Sequence, residues 1–292
     1  MTQPFDRAAE DLGNIVHLEH VNTRVPDQGV ATLFYVSGLG LTRDPYLMTG
    51  TDNMWANVGT SQFHLPTGEP QTLRGVTGIV LPDRAQLLRR LERVRALLAG
   101  TAFDFREEDT SVLVTSPWGN RIRVHEPDRR FGSITLGLPY VAFEVPRGSA
   151  EGIAGFYREV FATPASVQQD ESGISASAMV GVDQFFCFLE TDRAPPPFDG
   201  HHVQIYIANF SGPYRWLLDR NLITAEDSQH QWRFRQIVDP KDQRPLFEIE
   251  HEVRSMRHPF FNRHLVNRDP GQTNRSYAPG HEAWRWAMAG VG

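Results

Sequence analysis

The sequence has one cysteine, no block rich in lysine and arginine, and no long apolar run. The single cysteine, Cys187, excludes an internal disulfide framework. With a net charge of -6 and no basic block, nucleic acid is not expected as a partner. No apolar stretch approaches the roughly 20 residues of a membrane span, and the polar start at 1–11 lacks the apolar core of a secretory signal. These absences lead us to expect a cytoplasmic protein with no membrane partner.

The remaining composition is that of an ordinary globular protein. Of the 292 residues, 40% are hydrophobic and 22% are charged. A chain of this length has enough apolar sequence for a large core, and it is more often divided into two domains than built on one.

The same order of elements occurs twice along the chain. A strand that starts at His20 and is closed by Pro-Asp precedes a helix-like stretch containing Phe34-Tyr35. A strand that starts at Tyr140 and is closed by a proline precedes a helix-like stretch containing Phe156-Tyr157. The second strand follows the first by nearly the same number of residues as the second aromatic pair follows the first pair. This nearly constant spacing indicates a duplicated domain.

Each half also repeats internally. A strand at 76–82 precedes an amphipathic helix at 84–98, and a strand at 202–208 precedes a helix at 214–222. Alternating, turn-bounded segments then predict further strands, at 53–58, 62–65, 111–115, 121–125, 184–189, 232–238 and 246–251. The chain therefore reads as four βαβββ modules.

This pattern predicts an α+β fold whose four modules pair into two cup-shaped mixed-sheet domains, with helices on the outer face. We expect an N-terminal arm (1–14), two domains (15–130 and 136–256) and a C-terminal extension (257–292). The extension has a short helix predicted over 281–288, and it covers a cup mouth or forms a contact between copies in a homo-oligomer.

Strand parity places chemically active side chains on single faces, because successive residues of a strand point to opposite sides. His202 lies on the polar face of its strand, and His20 lies on the polar face of the first strand. In the strand at 246–251, Glu248 and Glu250 share one face. A carboxylate and an imidazole facing one cavity can bind a divalent metal, and His202 with Glu248 is such a pair if their strands are neighbours.

These residues resemble the vicinal-oxygen-chelate superfamily of glyoxalase I, bleomycin-resistance proteins and type I extradiol dioxygenases, over roughly 15–255. The four-module length is most similar to the extradiol dioxygenases. Their signature is matched by His230, Asp239-Pro240 and Glu248. The resemblance implies metal ligands at His202 and Glu248.

The sequence also departs from the dioxygenase pattern. Its third module has Tyr140 at the position where these enzymes place a ligand histidine, so the ligand set is one histidine short. In the first half, His20 and His64 occupy ligand positions, but their counterparts are Val76 and Arg123. His20 and His64 are therefore either a second metal site or polar lining of a cup.

The resemblance implies three functions. The leading hypothesis is a metal-dependent, ring-cleaving dioxygenase of a small aromatic substrate, with Fe(II), or else Mn(II) or Zn(II), on His202 and Glu248. His230 or Tyr140 would move protons, although Tyr140 is also read as plain cup lining. The alternatives are a non-catalytic protein that sequesters a small molecule, as bleomycin-resistance proteins do, and a glyoxalase-like isomerase or lyase.

Overall fold

A computed structural model of the chain describes residues 6–44, 52–170, 173–263 and 265. Single 3-10 turns occur at Ala8–Glu10 and Arg129–Phe131. The helix predicted at 281–288 lies outside the described residues. No helix of the described part is long and apolar enough to cross a membrane.

The first two modules have the predicted order of elements. Module 1 consists of β1 (Ile15–Asn22), α1 (Gln28–Ala31, continued by a π-helix over Thr32–Gly38), β2 (Thr42–Arg43), β3 (Asn53–Val58) and β4 (Ser61–Pro66). Module 2 consists of β5 (Gly75–Val80), α2 (Arg84–Arg95), β6 (Asp104–Glu108), β7 (Ser111–Thr115) and β8 (Arg121–His125).

The last two modules repeat this order. Module 3 consists of β9 (Gly137–Pro146), α3 (Ala150–Phe161), β10 (Ala165–Asp170), β11 (Gly173–Gly181) and β12 (Gln184–Thr191). Module 4 consists of β13 (His202–Ile207), α4 (Ser211–Leu218), β14 (Ile223–Ser228), β15 (Gln231–Val238) and β16 (Pro245–Ser255). The prediction of four βαβββ modules is confirmed.

The two Pro-Asp pairs that close β1 and β5 in the sequence start the helices that follow. The carboxylate of Asp27 accepts a hydrogen bond from the backbone N–H of Val30 at 2.9 Å. The carboxylate of Asp83 accepts one from Gln86 at 2.9 Å. A side-chain acceptor at this position satisfies a helix N–H that has no partner within the helix.

Each sheet combines one module from each half of the chain. The first sheet has the order β14-β15-β16-β13-β1-β4-β3-β2, and the second has the order β10-β11-β12-β9-β5-β8-β7-β6. Modules 1 and 4 therefore share one sheet through the antiparallel pair β1–β13, and modules 2 and 3 share the other through β5–β9. Each sheet thus joins modules from opposite halves of the chain, and the division into domains at 15–130 and 136–256 stays a prediction.

Helices and the apolar faces of both sheets form one continuous core. Helix α3 joins the sheets, because it packs on β10, β11 and β12 of the second sheet and on β15 and β16 of the first. Within this core, the buried hydroxyl of Tyr157 on α3 lies 2.7 Å from Nε2 of His251 on β16. Nδ1 of His251 lies 3.0 Å from the carbonyl of Ile249, so the neutral ring satisfies both contacts.

The buried imidazole of His251 makes stability depend on pH. Burial lowers the pKa of His251 from 6.5 to about 3. Between these values the unfolded chain binds a proton that the folded chain does not, so the free energy of unfolding falls as the pH falls, by about 1.4 kcal/mol per pH unit. We expect His251→Gln to reduce the pH slope of stability by about this amount in urea titrations run with a chelator from pH 6 to 4, while other histidines with a lowered pKa, such as His20 and His125, keep the remainder.

Tyr157→Phe is the control for this prediction. It removes the hydroxyl and keeps the buried imidazole, so it should lower stability without changing the slope. An unchanged pH slope in His251→Gln would contradict the assignment.

Candidate metal centre

Two rows of polar side chains cross the first sheet, because its strands are aligned in register. The first row runs through Arg233, Glu252, Gln204, His20, Gln62 and Asn57. The second row runs through Glu250, His202, Asn22, His64 and Trp55. Each residue of a row is paired with the next on the neighbouring strand, so the rows bring side chains of modules 1 and 4 onto one surface.

Three histidines from these rows converge. One ring nitrogen from each of His20, His64 and His202 lies within 4.8 Å of the others. The ring centroid of His20 is 5.5 Å from that of His64 and 5.7 Å from that of His202. Trp55 holds the plane of His64 by stacking on it with centroids 3.7 Å apart.

The nitrogens of this cluster are buried and have no hydrogen-bond partner. They are Nε2 of His20, both ring nitrogens of His64 and Nε2 of His202. Burial lowers the pKa of His20, and burial together with the neighbouring His20 and His202 lowers the pKa of His64 well below 6.5. Burial therefore disfavours the protonated forms of His20 and His64, and the neutral imidazole is the form that binds a metal. An ion here would satisfy atoms whose burial is otherwise costly.

Glu252 is the carboxylate beside this cluster. Its Oε2 lies 3.4 Å from Nε2 of His202, and the side chain is 3% exposed. Its Oε1 lies 2.6 Å from Arg254, and Arg233 contacts Oε2. Burial alone would raise the pKa of Glu252, but Arg254 and His202 lower it well below 4.5, so the group is a carboxylate.

Glu19 fixes the orientation of His20. Its Oε2 lies 2.9 Å from Nδ1 of His20, which leaves Nε2 facing the cluster. Burial raises the pKa of Glu19, but the hydrogen bond from His20 and the charge of Arg254 together bring it to about 2. A carboxylate that accepts from the far nitrogen of a ligand histidine sets its tautomer and increases its basicity.

The candidate residues named from the sequence are only partly brought together. His202 is in the cluster, but its partner in register is Glu250. Glu248 instead forms ion pairs with Arg74 (3.7 Å) and Arg235 (3.2 Å) and is not brought to His202.

The two residues named for proton transfer lie away from the cluster. His230 lies in the turn between β14 and β15, where its carbonyl accepts from the N–H of Ser255. Tyr140 belongs to the second sheet, and its hydroxyl lies 2.9 Å from Nε2 of His125. A role for either at the metal centre stays a prediction that this arrangement does not favour.

The second sheet has no comparable donors at the matching positions. Its register places Val76, Arg123, Tyr140 and Cys187 where the first sheet has His20, His64, His202 and Glu252. Burial raises the pKa of the Cys187 thiol to about 11, and the Arg123 side chain carries a positive charge. The ring of Tyr140 occupies the space above Gly78, where a Cβ atom would lie 2.3 Å from it. These four positions of the second sheet therefore offer neither a histidine nor a carboxylate to a metal.

A cavity of about 390 Å³ lies next to Glu19, the residue that orients His20. Glu19 and Tyr206 line it together with Phe260, Phe261 and Arg263 of the segment after β16. The guanidinium of Arg263 lies 2.5 Å from the buried carboxylate of Asp44. The part of the predicted extension that the structure describes thus forms one wall of this cavity.

Comparison with solved structures supports the fold independently. A proposed dioxygenase of Bacillus subtilis subsp. subtilis matches 86% of this chain and 88% of its own, with a TM-score of 0.56 and 15% identity. Glyoxalase I from Zea mays matches 82% of this chain and 92% of its own, with a TM-score of 0.55 and 13% identity. The chain has the vicinal-oxygen-chelate fold. No family model and no curated protein matches the sequence.

Sequence reasoning missed Glu252 and Glu19. Glu252 shares strand parity with Glu248 and Glu250, so alternation alone could not choose among the three. Glu19 lies within an irregularity of the β1–β13 register between Leu18 and His20, which no sequence pattern reveals. One sequence signal could have pointed to Glu252: it lies in an alternating polar strand, β16, of the same module as His202.

His64 allows a test that separates metal binding from folding. Its ring nitrogens have no partner, so His64→Leu should leave the metal-free protein at least as stable as the parent. The same variant should lose tight binding of Zn(II) or Co(II), measured by calorimetric titration. His20→Leu is the control: it also loses a ligand, but it removes a hydrogen-bond donor to the buried Glu19 and should unfold at lower temperature. Tight metal binding by His64→Leu would exclude His64 from the ligand set.

Glu252 and Glu248 can be distinguished by the same titration. We expect Glu252→Gln to weaken metal binding by more than about tenfold, because it removes the carboxylate beside His202. Glu248→Gln should change the affinity by less than about twofold, since Glu248 pairs with arginines outside the cluster. The opposite order of effects would restore Glu248 as the ligand.

Proposed function

We propose that this protein is a divalent-metal enzyme of the vicinal-oxygen-chelate type, acting on a small substrate through two adjacent oxygen atoms. The observation that carries the proposal is the cluster of buried, unpartnered nitrogens of His20, His64 and His202. The proposed site lies between modules 1 and 4.

The donor set suits a transition-metal ion. His20, His64 and His202 would supply three neutral nitrogens, and Glu252 would supply an oxygen. Imidazole donors suit zinc, iron, nickel and copper, and a single added carboxylate is compatible with all of them. The set does not distinguish Fe(II) from Zn(II) or Mn(II), so the expectation of Fe(II) rests on the sequence resemblance.

The surrounding charges allow the cluster to accept a cation. Arg254 and Arg233 balance the buried carboxylates of Glu252 and Glu19 in the metal-free protein. Glu19 holds the tautomer of His20 in which Nε2 is free. When bound, the ion would act as a Lewis acid that polarises the substrate oxygens.

The number of donors favours chemistry without dioxygen. The donor set of non-haem iron oxygenases is two histidines and one carboxylate, which leaves open positions for both substrate and oxygen. Four protein donors on a six-coordinate ion leave room for the two oxygens of one substrate. An isomerase or lyase reaction is therefore the function that the site supports best.

A ring-cleaving dioxygenase is the second candidate. The signature ending at Glu248 and the fold shared with a proposed bacterial dioxygenase support it. In a dioxygenase, Glu252 would remain paired with Arg233 and Arg254. Only the three histidine nitrogens would then bind the metal. A non-catalytic binding protein is the third candidate, and the incomplete dioxygenase signature motivates it.

Turnover assays on the metal-loaded protein separate these candidates. We expect turnover of a hemithioacetal or a related hydroxy-carbonyl compound that stops on adding EDTA and consumes no oxygen. His64→Leu, which should fold normally, is the inactive control. Oxygen uptake with catechols would support the dioxygenase instead. Ligand binding that is indifferent to EDTA, with no turnover, would overturn the metal enzyme.

A further inference from the structure

Gln204 lies on β13 in the middle of the first sheet, and its buried side-chain amide makes no hydrogen bond. The residue is 0% exposed, and both Oε1 and Nε2 of its side chain have no hydrogen-bond partner. A buried amide without partners costs free energy, so native proteins rarely retain one. An unused amide at this place is evidence for a partner that is absent from the bare chain.

The register of the sheet places Gln204 next to the metal cluster. Gln204 is paired with His20 on one side and with Glu252 on the other. Directly paired residues of a sheet have Cβ atoms about 4.5–5.5 Å apart and point to the same face. The amide therefore lies on the surface that carries two of the four proposed metal ligands.

Gln62 provides an internal comparison. It flanks His20 in the same row and is also 0% exposed. Its Nε2 donates to Asp44 at 2.6 Å and also contacts Asn57, and its Oε1 accepts from Arg263 at 3.2 Å. Two buried glutamines thus stand on either side of one ligand histidine, and only Gln62 is satisfied by the protein.

We propose that Gln204 positions the non-protein ligand at the metal, by hydrogen bonds to its oxygen atoms. This inference rests on the proposed function, because it requires the metal. A primary amide offers one acceptor oxygen and two N–H donors. It would favour a ligand that presents an acceptor oxygen and a hydroxyl on adjacent carbons, as in a hydroxy-carbonyl or hydroxy-carboxylate compound. A ligand that lacks the hydroxyl would leave part of the amide unsatisfied.

The test uses Co(II)-loaded protein, whose visible absorption reports changes in coordination. Glycolate, which has the hydroxyl, and acetate, which lacks it, are titrated against the parent, Gln204→Met and Gln62→Met. We expect the parent to bind glycolate about tenfold more tightly than acetate. Gln204→Met should reduce this preference to the part that chelation by the metal alone supplies, while keeping its affinity for Co(II), and Gln62→Met should keep the full preference.

Metal-free stability gives a second, independent readout. Gln204→Met should raise the urea midpoint, because it removes an unsatisfied buried amide, whereas Gln62→Met should lower it. An unchanged glycolate preference in Gln204→Met, with normal Co(II) uptake, would overturn the role of Gln204 alone. Failure of the parent to take up Co(II) would overturn the proposed function itself.

Discussion

The antiparallel pairing of β1 with β13 is the constraint on which the candidate centre depends. It places Asn22 opposite His202 and His20 opposite Gln204, and so joins the first module to the fourth. The pairing of β4 beside β1 then adds His64, and β16 beside β13 adds Glu252. No single half of the chain contains the four proposed donors, so the proposed centre requires that modules 1 and 4 meet in one sheet.

The cost of burying charge shapes the surroundings of this centre. Glu19, Glu252 and Arg254 are all nearly inaccessible to solvent. Removing such groups from water is unfavourable unless each finds a partner, and Arg254 bridges both carboxylates. Within the cluster, ring nitrogens of His20, His64 and His202 and both amide atoms of Gln204 are buried without partners, and other buried polar atoms without partners lie elsewhere in the described residues. The buried charges beside the cluster are paired, whereas the ring nitrogens and the amide of Gln204 are not. This contrast favours a ligand-binding role over a polar core with only a structural role.

The sequence predicted the modules well because strand alternation and the Pro-Asp turns are local signals. The strands at 53–58, 111–115 and 121–125 are confirmed to the residue. Which modules share a sheet is not local information, so His20 and His64 were assigned to a different site from His202. The choice among the glutamates also depends on non-local information: three glutamates share one face of β16, and the register with β13 places Glu250 opposite His202 and Glu252 opposite Gln204.

X-ray absorption at the metal edge of the loaded protein tests the central claim most directly. The fine structure reports the number and kind of atoms around the ion, and imidazole rings give a characteristic multiple-scattering pattern. We predict a first shell of nitrogen and oxygen at about 2.0–2.2 Å with the contribution of three imidazoles, falling to two in His64→Leu at high metal concentration. A shell without imidazole scattering, or one unchanged in that variant, would contradict the account.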